Sequence, residues 1–507
     1  MVNNLNYAYY NDGTRQEVFY LNSFLSNFDD YLFRYDLKSG AMEQVTYTPD
    51  RTVGKWDGFS AFMPPSDKGL VEPCNEFKLM GFYRVFRNPA AENQYLLSYD
   101  TKSGEYKVML TGNGFRTFDN CVVKFIQSWG WNKYALRRVE LYDRSGNMFE
   151  CPKFIGEIDG KPTQASVYID SSGEDNMFVL IGDEKDKDKD YYSGHIDREG
   201  NFNLLARYDG FGEFNGKIAD GKLEGVISLR GSEQQVSLAP ESGSVNLPAA
   251  NVAKSDLPLK EDVVQWIKDN IPYVVDKANN TLYLINKESE AWLTKVDLES
   301  GESSRVTLTS ADGVYNFDKF NHFIIPEDKG YQSENPSIIF AGYFRNKETS
   351  GSRYAAVRYD ISTNQLTELI NDDWVYAAGQ CIMACKQYAD VYPTLVERAD
   401  FYDANMQKIS PRIFKGTIKG KPATAELVIS ANGELIGNYY IDNKPNMRTV
   451  LYGKVDALGT AIVSATFGYN AYEEWRFTLK DGVLNGNFKY SYAFTKRSGD
   501  VTLTEQK

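Results

Sequence analysis

Histidine is nearly missing from this chain: His195 and His322 are the only two in 507 residues. A nucleophile triad or a zinc site built on imidazole would need those two to converge from opposite halves of the sequence. Cysteine is scarce as well, limited to Cys74, Cys121, Cys151, Cys381 and Cys385. Five is too few and too odd a number for a disulfide scaffold. Along a strand, Cys381 and Cys385 would stand about 13 Å apart at roughly 3.3 Å per residue, beyond disulfide reach. With no second Cys/His pair to complete a zinc site, the thiols are expected to pack as small buried hydrophobes.

Positive charge is also in short supply. The chain has 56 basic against 69 acidic side chains, a formal charge of −13, and no Lys/Arg block, so neither nucleic acid nor an anionic membrane surface is expected as a partner. No stretch approaches about eighteen uninterrupted apolar residues, so no transmembrane helix is expected. Met1 to Tyr10 lacks the basic and apolar regions of a secretory leader. The expectation is a cytoplasmic protein, or a periplasmic or cell-surface one whose leader was removed before residue 1. GxSxG, HExxH, a Walker loop and a GxGxxG after a strand are all absent, which leaves the common motif-bearing enzyme classes without support.

What the chain has in abundance is aromatic residues: 35 Tyr, 29 Phe and 7 Trp, within a 42% hydrophobic and 25% charged composition. That is a folded composition, and one that favours strands, where rings pack well on a pleated surface.

The chain is also a duplication. Shifted by 260 or 261 positions, Phe59 to Gly69 (FSAFMPPSDKG) falls on Phe320 to Gly330 (FNHFIIPEDKG), and Phe154 to Pro162 (FIGEIDGKP) falls on Phe414 to Pro422 (FKGTIKGKP). Residues 121–170 share 13 identities with 381–430 in 50 ungapped positions, far more than composition alone produces. Near the ends of the copies, Asp220 to Gly225 lies over Asp481 to Gly486. Between the halves, LKEDVVQWIKDNI carries Leu259, Val263, Trp266 and Ile267 on one stripe, with Pro258 in the first turn and Pro272 as terminator. This pattern predicts a linker helix near 258–270.

The front of each half holds three hairpin patterns: YLFRYDLKSGAMEQV, YLLSYDTKSGEYKVM and VELYDRSGNMF in the first, with WLTKVDLESGESSRV, YAAVRYDISTNQLTEL and ADFYDANMQKI in the second. Each has an alternating strand, an Asp able to bond its own backbone through the turn, and a second alternating strand. These Tyr-Asp-x-x-Ser-Gly hairpins resemble the outer hairpins of β-propeller blades. Three blades per half permit one six-bladed ring, while two separate open β domains are equally allowed. The rear of each half, about 153–240 and 413–505, reads as consecutive short strands between turns, a meander that escapes exposed edges by closing. It resembles the small lipocalin-like or avidin-like barrels of bacterial envelope proteins. The resulting expectation is an all-β chain with five segments: a propeller-like or sandwich-like region over 1–150, a small barrel over 151–245, a linker with the helix over 246–272, a second β region over 273–410 and a second barrel over 411–507.

Two sets of residues stand out as sites. Asp186, Asp188, Asp190 and Asp197 follow the alternate-ligand spacing of a Ca²⁺ loop, although Tyr191 stands where that loop needs Gly. The other reading is a solvated hairpin tip with no metal, and no other cofactor is implied. Trp129 and Trp131, on one strand face, meet Ala389 and Val391 in the second copy. Rings kept in both copies, such as Phe214 against Trp475, are explained by the core, whereas unrepeated rings are free to stack on a sugar or a protein. The functional expectation is a non-catalytic binding or scaffold protein, bacterial and envelope-associated, recognising a protein or a glycan. The alternatives are a carbohydrate-active hydrolase with a carboxylate pair and a cytoplasmic immunity or inhibitor factor.

Overall fold

The computed structural model describes residues 9–12, 16–22, 31–45, 58–62, 76–84, 92–112, 114–117, 121–127, 136–143, 146–169, 177–182, 189–206, 212–229, 232–243, 265, 273–286, 292–300, 303–306, 308, 315–324, 331–333, 337–346, 352–363, 365–387, 395–466, 471–492 and 495–506. Every described element is a strand, and the strands form six small sheets and two closed barrels. Of the expected linker helix only Gln265 is described, and it is helical and exposed. The rest of 258–270 lies outside the described residues.

Sheet 1 runs from Tyr9–Asp12 to Met42–Gln44, sheet 2 from Gly58–Phe62 to Tyr106–Gly112, and sheet 3 from Phe115–Thr117 to Met148–Phe149. In the second copy sheet 4 runs from Tyr273–Asp276 to Ser303–Arg305, sheet 5 from Tyr315–Ile324 to Gln365–Asp372, and sheet 6 from Trp374–Ala378 to Lys408–Ile409. Each has four antiparallel strands in meander order, the propeller-like form. Sheet 4 gains Tyr331–Ser333, which pairs parallel to its first strand.

The aspartates of the sequence pattern all fall in the turn between third and fourth strands, as the hairpin chemistry predicted. Asp36 Oδ1 accepts from the backbone N–H groups of Lys38 and Ser39 at 2.9 and 2.6 Å. Asp100 and Asp297 repeat this with Ser103 at 2.8 Å and Ser300 at 2.7 Å. Asp143, Asp360 and Asp403 close the other three turns with Asn147 at 2.8 Å, Thr363 at 3.0 Å and Gln407 at 2.8 Å. Such bonds favour the charged carboxylate, and they hold Asp36, Asp100, Asp297 and Asp360 below the usual range, chiefly through Ser39, Ser103, Ser300 and Ser362. A depressed folded value contributes stability above the unfolded value near 3.9, and that contribution is lost as pH falls through the folded one. Replacing all four by Asn, which keeps the turn without the charge, is therefore expected to flatten the acid limb of thermal unfolding between about pH 4 and pH 2. An unchanged acid limb would refute it.

Backbone irregularities repeat with the duplication. Register shifts at Phe59/Ala61, Leu96/Leu97 and Ile126/Gln127 recur at Phe320/His322, Ala356/Val357 and Lys386/Gln387. The barrels match too: barrel 1 spans Lys153–Ile158 to Ser232–Pro240 and barrel 2 spans Arg412–Ile418 to Thr495–Glu505, eight strands each in sequence order. Their first hairpins turn on Asp159-Gly160 and Lys419-Gly420, with φ of 48° and 72° against 53° and 70°, the left-handed pair a two-residue turn needs to match strand twist.

Neighbouring sheets within a copy share cores. Phe19 of sheet 1 meets Tyr99 of sheet 2 edge-on at 5.8 Å. Leu96 of sheet 2 packs with Phe115 and Val122 of sheet 3, and sheet 5 packs with both sheet 4 and sheet 6. Each barrel lies on the sheet before it: Phe178, Leu180 and Tyr191 on sheet 3, and Ile436, Val450 and Tyr452 on sheet 6. Barrel 2 also touches sheet 1, where Arg476 Nη2 donates to Gln44 Oε1 at 3.0 Å and the Met42 N–H donates to Asp456 Oδ2 at 3.3 Å. Barrel 2 thus bridges the first sheet and the last, which ties the two copies together.

Candidate functional site

The expected sites divide sharply. Trp129, Trp131, Asp186 and Asp188 lie outside the described residues. Asp190 begins the strand Asp190–Ile196 and is exposed. Asp197 follows that strand, and both its carboxylate oxygens accept from Asn201, from the backbone N–H at 2.7 Å and from Nδ2 at 2.9 Å. That is the same turn geometry Asp143 makes with Asn147. No group of three His, Cys, Asp or Glu side chains gathers at a metal-binding spacing among the described residues. Cys121 and Cys385 are buried thiols, while Cys151 and Cys381 are half-buried.

The feature the sequence did not announce is inside barrel 2. On the strand Ala471–Lys480, Glu473, Trp475 and Phe477 alternate inward. Glu473 is only 4% exposed and Trp475 is fully buried. Both hydrogen bonds to the carboxylate land on Oε1, one from the Tyr439 hydroxyl at 2.9 Å and one from the Trp475 indole N–H. The Tyr439 and Trp475 rings stand 4.8 Å apart, and Tyr439, Ile441 and Tyr490 are half-buried around this end of the barrel. Burial raises the Glu473 carboxyl to about 7, against the lowering effect of its two donors, and no basic side chain contributes.

Barrel 1 has no counterpart to this group. The pairings Gly212↔Leu229 and Glu473↔Tyr490 place Gly212 where Glu473 stands, and Phe214 and Ile181 replace Trp475 and Tyr439. A Cβ at Gly212 would lie 3.3 Å from the Tyr192 ring, so barrel 1 fills that space with an aromatic side chain. An eight-stranded barrel of this design closes without the carboxyl.

A second copy-specific feature lies on the outer rim of copy 1. Val108, Met148, Phe149 and Ile155 are exposed by 40%, 67%, 37% and 48%. Strand pairing sets the first, second and fourth of these against Glu368, Lys408 and Lys415, all exposed. Lys408 Nζ holds Asp400 Oδ1 at 2.5 Å in copy 2. In copy 1 the matching Glu140 takes its lysine from the strand beside it, Lys124 at 3.4 Å, and a hydroxyl from Tyr142 at 2.8 Å. That exchange leaves position 148 free to be apolar.

No protein-family model matches the chain, and no curated protein does. Among solved structures it is similar to an oligogalacturonate lyase from Vibrio parahaemolyticus, with 12% identity, 58% of this chain and 78% of that one covered, and a TM-score of 0.23. A prolyl endopeptidase gives 9% identity and a TM-score of 0.22 over 97% of this chain and 55% of its own, so the chain spans about half its length. Hydrazine synthase from Kuenenia stuttgartiensis gives 10% identity and a TM-score of 0.13, covering 55% of this chain and 74% of its own. Likeness this distant says nothing about activity.

Proposed function

We propose that the chain is a non-catalytic binding protein that docks a protein partner on the outer rim of copy 1. The observation that carries this is the exchange of Glu368, Lys408 and Lys415 for Val108, Met148 and Ile155 at matched exposed positions. Exposed apolar side chains lose free energy in water and recover it against an apolar partner. Val108 lies on the strand Tyr106–Gly112, Met148 and Phe149 form the strand Met148–Phe149, and Ile155 lies on Lys153–Ile158. Met109 Cε, next to Val108, lies 3.6 Å from where a Cβ on Gly146 would stand, so the rims of sheets 2 and 3 adjoin. Among the described residues Met148–Phe149 is an edge strand that pairs with Leu136–Asp143 alone, which leaves main-chain groups for an added strand. Aliphatic and Met side chains suit a protein surface better than a sugar, whose hydroxyls need polar partners.

Quantitative pull-down from the native host tests the proposal. Wild type and a Lys408→Met variant are expected to retain the same partner. A Met148→Lys variant, carrying copy 2's residue, is expected to lose at least tenfold, since one charge in an apolar contact costs more than about 1.4 kcal/mol. Equal retention by Met148→Lys would reject the rim as the docking face.

A further inference from the structure

We infer that the Glu473 end of barrel 2 is a binding site for a small organic ammonium ion, which pairs with Glu473 and packs against the rings of Tyr439 and Trp475. This stands apart from the rim of copy 1, and neither reading depends on the other. The argument begins with a charge that lacks a partner. Glu473 is nearly fully buried, both its hydrogen-bond donors are neutral, and both reach Oε1. Oε2 receives neither bond. The Tyr439 hydroxyl, on the strand Glu434–Ile441, has Thr449 at the start of Thr449–Val455 and Tyr490 on Val483–Tyr492 as its other neighbours. Cross-strand pairing carries this row on from Glu473 through Tyr490 to Arg497, whose exposed guanidinium lies over the Tyr490 ring at 5.9 Å.

A buried carboxylate without a counter-cation is costly, and proteins either pair it or neutralise it. The copy comparison shows that the carboxyl is dispensable for closing the barrel, because Gly212 and Phe214 serve in barrel 1. A cation is the one ligand class that satisfies everything the site offers. Its N–H groups fit the unused carboxylate oxygen, and its charge is attracted to aromatic ring faces. A neutral alcohol would satisfy the hydrogen bond but not the charge. An anion would be repelled. We place the ligand's entry beside the half-buried Tyr439, Ile441 and Tyr490.

The test is titration of the full chain with propylammonium chloride at constant ionic strength, followed by the intrinsic fluorescence of Trp475 against a Trp475→Phe blank and by calorimetry. Propan-1-ol serves as the neutral isostere. Saturable binding of propylammonium is expected at pH 8. Affinity should fall by one to two orders of magnitude at pH 5, where the carboxyl is protonated, and protons should be released on binding near pH 6. Glu473→Gln should abolish binding while keeping the fold, and Tyr439→Phe should weaken it several-fold. Absence of saturable binding at pH 8, equal affinity for propan-1-ol, or affinity independent of pH would each overturn the inference. The last two readouts need no variant, so the outcome does not hinge on whether Glu473→Gln folds.

Discussion

Glu473→Gln is expected to stabilise the protein by about 3 kcal/mol at pH 8 and to change it little at pH 4. The carboxyl titrates near 4.5 when unfolded and about 7 when folded, and each unit of difference corresponds to about 1.4 kcal/mol. Below the unfolded value both states are protonated and the group contributes nothing. As pH rises toward 7 the unfolded chain releases its proton first, so the folded state binds more protons and stability declines. Above 7 the full penalty stands. Gln keeps an acceptor oxygen for Tyr439 and Trp475 and carries no charge, so it removes the penalty without opening a cavity. Denaturant unfolding of wild type and variant at pH 4, 6 and 8 checks this, and a difference that does not grow with pH would contradict it.

Trp475→Ala should be the most damaging single truncation in barrel 2, costing about 3–5 kcal/mol. Trp475 is the largest fully buried side chain of the chain's described core. Its ring stacks at a tilt on Tyr439 at 4.8 Å and faces Phe488 at 6.2 Å, so removal empties the space between them. Trp475→Phe installs the residue barrel 1 uses, Phe214, and should cost much less at low pH. Its cost should rise with pH, because the indole N–H is one of the two donors to Glu473 among the described residues, and a hydrogen bond to a charged group contributes about 1.5–3 kcal/mol. Thermal unfolding of both variants at pH 5 and pH 8 separates the effects. A Phe variant with no pH dependence would show that the indole does not support the carboxylate.

The scaffold was legible because its signals are local. Asp36, Asp100, Asp143, Asp297, Asp360 and Asp403 mark six turns by chemistry that acts within four residues. The strands of barrel 2 announce themselves through period-2 alternation between turns such as Asp481-Gly482. The fit of Phe214 to Trp475 as shared core also holds, since both are fully buried. Two positions earlier the same comparison sets Gly212 against Glu473, and there the sequence carries a signal that is easily passed over. In AYEEWRFTLK a charged residue occupies an inward step of the alternation. Which of Glu473 and Glu474 faces inward depends on strand register, a long-range property. The donors Tyr439 and Trp475 come from strands that are not neighbours in sequence, so their convergence appears only when the barrel closes. The rim residues were hidden for a different reason. Val108, Met148 and Ile155 look like ordinary strand hydrophobes until exposure separates them from their buried neighbours.

The account rests on a division of labour between the copies: positions kept in both hold the scaffold, and exposed positions that differ are free of it. The most direct measurement is the thermal midpoint of the full chain carrying Val108→Glu, Met148→Lys and Ile155→Lys, the identities found in copy 2. Exposed substitutions away from structural features stay within about 0.5 kcal/mol each, so the midpoint should move by no more than about 3 °C. A fall of about 10 °C or more would mean these side chains hold the fold together, and the division would fail.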